Sequence, residues 1–194
     1  MSLKHAILGF LKMKPMNGYD LKKAFDQSIQ FFWPANQSQI YQTLAAMMRD
    51  GWIEAETVER DERLPIKIYA VTEKGREELH NWLATPLAES SYREAFLIQI
   101  YFGGFVSDDG ALHVVEEMLR EQRNNLAGLS EMYSALTGQA GAKPNKREWF
   151  YSLMTLEYGI SNTAQGIRFL ESMESRIRDR DYQPKKLSEL LGEG

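Results

Sequence analysis

Ser38, Gln39, Tyr41 and Gln42 are the residues of this chain whose types and spacing could do chemistry. At 100° per residue, Ser38, Gln42, Ala45 and Arg49 fall on one face of a helix, with Gln39 and Tyr41 at its flanks. That face is small and rich in hydroxyls and amides, the groups that can reach base edges in a DNA major groove, where a bulky charged row would seat less closely. The competing reading is an ordinary solvated helix face. A second set, Lys22, Lys23, Arg60, Arg63 and Lys67, could hold phosphates and so position such a helix without reading sequence. Tyr41 could join this set through its hydroxyl, while Asp61 and Glu62 partly cancel the nearby arginines.

The elements that must position these residues follow in a definite order. Leu3, Ile7, Phe10 and Leu11 recur at helical spacing and predict a helix from about Leu3 to Met13, stopped by Pro15. Met16-Asn17-Gly18 is turn chemistry, and Leu21, Phe25 and Ile29 continue a second helix from Tyr19. Phe31-Phe32-Trp33-Pro34 marks a break. Asn36 followed by Gln39 fits a capping box, so a third helix begins near Gln37, with Ile40, Leu44, Met47 and Met48 inward and Gly51 at its end. Trp52 to Glu59 reads as a strand and Arg60 to Pro65 as its connecting tip. Ile66, Ile68 and Ala70 then form the apolar face of a returning strand, and Thr72-Glu73-Lys74-Gly75 opens a fourth helix through Leu79, Trp82 and Leu83. A hairpin directly after the third helix is a wing, and the whole order is that of a winged helix-turn-helix.

Several of these segments carry a more specific signal. Ala6-Ile7-Leu8-Gly9-Phe10-Leu11, Pro15 through Lys23, Phe32-Trp33-Pro34-Ala35, Gln39 through Leu44 and Lys67 through Arg76 together resemble the PadR family of bacterial transcriptional regulators. The remaining half is similar in layout and length to the helical C-terminal domain of the larger PadR subgroup. The resemblance implies transcriptional regulation, more often repression. It also raises the expectation of a small hydrophobic or aromatic effector, since some members respond to phenolic acids or planar hydrophobic compounds.

Charge argues against a simply basic DNA binder. The formal net charge is -4, and residues 1–86 carry eleven Lys/Arg against eleven Asp/Glu. A neutral half can still bind DNA if its cations cluster on one face, and two half-sites held by a dimer would compensate for weak single contacts. With no cysteine, disulfides and thiolate zinc sites are excluded. No apolar run approaches a membrane span and no signal peptide is recognised, so a cytoplasmic location is expected. Catalysis finds no support: His5, His80 and His113 are dispersed and no phosphate-cradling glycine motif occurs, so neither cofactor nor metal is expected.

In the second half, Tyr92 to Phe102 is helical and breaks at Gly103-Gly104, and Ser107 or Asp108 caps a helix running towards Leu136. Thr137 to Lys143 reads as a loop, and Asn145 with Glu148 opens a helix of about thirty residues. Its apolar stripe, Trp149, Leu153, Leu156, Ile160, Ile167 and Leu170, is expected to meet a partner chain, because two long amphipathic helices leave much apolar surface uncovered. The expected architecture is mainly α with a small β-hairpin wing. It comprises a winged helix-turn-helix DNA-binding domain (1–86), an α-helical dimerisation and effector domain (87–180) and a tail (181–194). A twofold dimer would present its third helices about 34 Å apart and read an inverted repeat on double-stranded DNA. The rival reading is a winged-helix protein-interaction module, distinguishable by a weak dependence on salt.

Overall fold

The computed structural model describes residues 2–60, 63–87, 94–138 and 145–191, without the side chains of Arg63 and Leu191. The chain divides into two compact units, residues 1–90 and 91–194. The first contains α1 (Ser2–Met13), α2 (Gly18–Asp26), α3 (Gln37–Arg49), the antiparallel strands β1 (Ile53–Arg60) and β2 (Arg63–Val71), and α4 (Glu73–Ala84). Together these make a three-helix core with a hairpin wing and a fourth helix.

The caps follow from the residues at the helix starts. Asn36 Oδ1 accepts from Gln39 N at 2.9 Å, and Gln39 Oε1 accepts from Asn36 N at 2.9 Å, which completes the expected capping box on α3. Asn17 caps α2 through Asp20 N at 2.8 Å, and Thr72 caps α4 through Gly75 N at 3.2 Å. Gly51 leaves α3 with φ at +72°, a left-handed angle that glycine takes without a Cβ penalty. The core behind these helices is built from Ile7, Leu8, Leu11, Leu21, Phe25, Ile40, Leu44 and Met47, joined by Ile53, Tyr69, Val71 and Leu79. His5 is buried with them, stacked on Trp82 at 4.4 Å and 3.0 Å from Glu78 Oε1.

Four expectations for this unit require correction. α2 ends at Asp26, and Ile29 reaches the core from the turns that follow. Met48 is exposed, because α3 buries only the narrower stripe Ile40, Leu44, Met47. β1 is shifted by one residue and β2 starts earlier than expected, so Arg60 and Pro65 lie within the strands rather than at the tip; Asp61 and Glu62 lie outside the described residues. The fourth correction reverses the face of β2: Tyr69 and Val71 are buried, whereas Ile66, Ile68 and Ala70 are only partly covered. Pairing of Ile53 with Val71 and of Ala55 with Tyr69 sets that register. A backbone bridge fixes it, with Met16 N donating to Tyr69 O at 3.1 Å and Tyr69 N to Met16 O at 2.8 Å. The hydrophobic alternation of β2 alone could not choose between its faces, since both carry apolar residues.

The second unit contains α5 (Ala95–Tyr101), a 3-10 turn at Gly103–Phe105, α6 (Asp108–Gly138), α7 (Lys146–Arg178) and α8 (Leu187–Leu191). Ser107 Oγ accepts from Gly110 N at 3.3 Å and so supplies the α6 cap. Thr137 and Gly138 belong to α6, not to the loop assigned to them, and the rest of that loop, like Tyr92, lies outside the described residues. α6 and α7 pack as an antiparallel hairpin, tied at its edges by Arg123–Glu171 at 2.8 Å and by Arg178–Glu116. Ile167 and Leu170 pack on Val115 and Leu119 of the same chain, and Leu153 and Leu156 are buried as well. Most of the stripe expected to meet a partner is therefore consumed within the chain, with Trp149 and Ile160 half-buried. The residues of α7 left exposed are instead Phe150, Tyr151, Met154, Tyr158 and Phe169. No helix among the described residues is long and apolar enough to cross a membrane.

Candidate nucleic-acid interface

α3 presents Ser38, Gln42, Ala45 and Arg49 to solvent as one continuous exposed stripe, because Ile40, Leu44 and Met47 anchor the opposite side. Gln42 makes no hydrogen bond among the described residues, so its amide is free to donate and accept together. Gln39 differs. Its side-chain oxygen is committed to the capping box, which leaves only its amide hydrogens for a ligand.

Beside this stripe lies a cleft of about 460 Å³ formed by three elements. The start of α2 contributes Asn17, Gly18 and Tyr19, α3 contributes Tyr41, and the wing contributes Arg60, Pro65, Ile66, Lys67 and Tyr69. The Tyr41 ring lies so close over Gly18 that a Cβ there would fall 2.6 Å from its carbons and 2.7 Å from its hydroxyl. Glycine at this position therefore lets the phenol sit against the first turn of α2. Burial raises the pKa of Tyr69, with the adjacent Tyr41 adding to the shift, so the Tyr69 hydroxyl remains a neutral donor near pH 7. The unpaired N–H groups of a helix start carry partial positive charge, so α2 adds to the cationic character of this cleft.

The cations divide by what already holds them. Lys22 is paired with Asp26, and Lys4 donates to Asp50 at 2.6 Å while its ammonium lies 4.9 Å from the Trp52 ring centre. Arg60 donates through Nε at 3.2 Å and Nη2 at 2.8 Å to the carbonyl of Leu64, so this arginine braces the wing as well as lining the cleft. Lys23 and Lys67 carry no ion pair among the described residues. Of the residues singled out from sequence, the cleft brings together Tyr41, Arg60 and Lys67; Ser38 and Gln42 lie on the neighbouring stripe, and Lys22 and Lys23 lie on α2 outside the cleft. The side chain of Arg63 lies outside the described residues. Asn17, Gly18 and Tyr19 were missed because the Asn-Gly pair reads as a turn. The available signal was Asn17 three residues before Asp20, the spacing of a helix cap.

Comparison with known proteins gives two consecutive family matches. Residues 7–81 match the transcriptional regulator PadR-like family, and residues 92–178 match the virulence activator alpha C-terminal domain. The negative transcriptional regulator PadR of Bacillus subtilis is 29% identical over 181 residues, 92% of this chain and 98% of the relative. A probable transcriptional regulator of Mycobacterium tuberculosis is 30% identical over 193 residues, 93% of this chain and all of the relative. The crystal structure of Bacillus subtilis PadR with operator DNA superposes with a TM-score of 0.81 at 27% identity, covering 90% of this chain and 97% of that one. The same protein with p-coumaric acid gives 0.74 at 27% identity, covering 91% and 95%.

Proposed function

The chain belongs to the PadR-like family of transcriptional regulators, and from that premise we propose that it is a ligand-responsive repressor gripping an inverted-repeat operator as a homodimer. The observation that carries this reading is the convergence of Tyr41, Lys67 and the start of α2 on one cleft beside the open stripe of α3. In this reading α3 enters the major groove, with Ser38 and Gln42 at base edges and the remaining amide hydrogens of Gln39 beside them. The phosphate of the flanking strand seats in the cleft against Tyr41, Lys67 and the α2 N–H groups, with Arg60 and Lys23 nearby. An even charge balance in this half suits the arrangement, because the acidic residues of the wing root, Glu54 and Glu56, sit on the hairpin face opposite to Lys67.

Dimerisation is assigned to the surface that α6 leaves uncovered. Tyr151, Met154 and Tyr158 are exposed at i, i+3 and i+7 on α7, an apolar stripe of the kind that a second copy covers. Bacillus subtilis PadR binds operator DNA and p-coumaric acid in its crystal structures, and by similarity this chain is proposed to work in the cytoplasm under a small hydrophobic or aromatic effector, without catalytic activity. The experiment that tests the groove assignment compares Gln42→Ala with Lys67→Ala on a preferred operator and on random duplex. Gln42→Ala is expected to cost about 1–3 kcal/mol on the operator and little on random DNA. Lys67→Ala is expected to weaken both alike and to lower the salt slope by about one. Equal losses for Gln42→Ala on both duplexes would remove α3 as the reading element.

A further inference from the structure

After α7 the chain reverses and runs back along the helix. Arg180, with φ at +52°, makes the turn, and the returning segment is pinned at successive points. Asp181 N donates to Arg176 O at 2.8 Å, Tyr182 Oη donates to Asp108 Oδ2 at 2.8 Å, Arg176 Nη2 donates to the carbonyl of Gln183, and Lys185 Nζ donates to Ser172 Oγ at 2.6 Å. Between this strap, α7 and the end of α5 lies a cavity of about 890 Å³, within the second unit and remote in sequence from every DNA-contact candidate. Its volume falls in the range of sites that enclose a drug-sized molecule.

The lining is divided by chemistry. Arg168, Arg176 and Lys185 supply three cations against the two carboxylates Asp181 and Glu189. Asp181 Oδ1 is already engaged by Gln183 N at 3.2 Å, and Arg168 has no ion pair among the described residues. Arg176 Nε is buried with no hydrogen-bond partner, a desolvated donor that an acceptor entering the cavity would satisfy. The rest of the wall is mainly apolar, with Ile100, Phe169, Met173, Ile177, Pro184 and Leu190 interrupted by Gln165 and by Ser172 and Tyr182, whose hydroxyls are already engaged by Lys185 and Asp108. A cationic end with an unsatisfied guanidinium N–H and a long apolar wall together match one class of ligand.

We infer that the cavity between α7 and the C-terminal strap binds an amphipathic organic anion, with a carboxylate-type head on Arg168, Arg176 and Lys185 and an aliphatic body along Phe169, Met173 and Ile177. A single aromatic ring fills only a fraction of 890 Å³, so an aliphatic chain of fatty-acid size fits better. The site stands whether or not the winged unit reads DNA, since every residue of it belongs to residues 91–194.

Titration calorimetry of the full chain with laurate, without DNA and below the micelle threshold, is the test, with dodecanol and dodecyltrimethylammonium as head-group controls. Saturable binding at one laurate per chain is expected, with at least tenfold weaker binding of both controls. Arg168→Glu with Lys185→Glu, both at solvent-exposed side chains, is expected to weaken laurate at least tenfold, and Leu190→Asp, at the opposite end, to weaken it as well. No binding of laurate, equal binding of dodecanol, or undiminished binding by the charge-reversed protein would each overturn the inference. Loss of operator binding in a separate assay would bear on α3 and leave this result untouched.

Discussion

Gly75 gives the sharpest test of how the wing is anchored. It lies in the first turn of α4, where propensity alone favours alanine over glycine by up to about 1 kcal/mol. The structure reverses the sign. A Cβ on Gly75 would lie 2.0 Å from the carbonyl oxygen of Trp52 and 2.9 Å from its carbon, both backbone atoms that no rotamer change can clear. Ordinary carbon-to-carbonyl approaches stop near 3.3 Å, so the first turn of α4 must retreat by more than about 1 Å. That retreat strains two bonds that hold α4 to the root of the wing: Thr72 N to Trp52 O at 3.1 Å and Thr72 Oγ1 to Gly51 O at 2.7 Å. At about 1 kcal/mol each, with overpacking strain of about 1–3 kcal/mol and the propensity gain set against them, Gly75→Ala should destabilise the first unit by roughly 2–4 kcal/mol. For a unit of this size that lowers Tm by roughly 10–30 °C. Tryptophan fluorescence reads it directly, because Trp33, Trp52 and Trp82 lie in the first unit and only Trp149 in the second. The control is Gly128→Ala in α6, where an added Cβ meets nothing within 4 Å, and which should be neutral or stabilising by up to about 1 kcal/mol. If Gly75→Ala melts at or above the parent temperature, the reasoning from the Trp52 carbonyl is wrong.

Asn36→Ala should cost about 1 kcal/mol in urea titration, because it breaks the capping box that starts α3. Gly18→Ala should swing the flexible Tyr41 ring out of its seat with little loss of stability, weakening operator binding by roughly threefold to tenfold, about 0.7–1.4 kcal/mol, in a gel-shift titration. The Lys4 hydrogen bond holds the Asp50 carboxyl below its ordinary value. A depressed carboxylate pKa stabilises above the unfolded value near pH 4 and loses that contribution as pH falls through the folded value. Urea midpoints of the parent and Lys4→Met should therefore differ most above pH 5, with the pH-dependent part of the difference shrinking as pH falls below about 4.

Much of the first unit was legible in the sequence because its signals are local. Asn36 and Gln39 announce a helix start three residues apart, Gly51 announces its end, and Ile40, Leu44 and Met47 mark its buried side. The face of β2 was not legible, since the register depends on the distant bridge between Met16 and Tyr69 and since Tyr69, a polar-tipped residue, takes a core position that alternation assigned to Ile68. The partners of α7 were misread for a related reason. Periodicity identifies an apolar stripe but not what covers it, and α6 proved to be long enough to cover Leu153, Leu156, Ile167 and Leu170 from within the chain. Of the interface, the open stripe of α3 was visible from spacing alone. The cleft was not, because Gly18, Tyr41 and Lys67 meet only through the packing of α2, α3 and the wing.

The central claim is that α3 and its flanking cleft read a specific duplex. The most direct measurement is selection of bound sequences from a random DNA pool by the full-length protein, followed by titration of the enriched duplex at two salt concentrations. The account predicts an inverted repeat with half-site centres about one helical turn apart, roughly 34 Å, and an affinity that falls steeply with salt. Absence of enrichment at low salt, with and without candidate effectors, would contradict it.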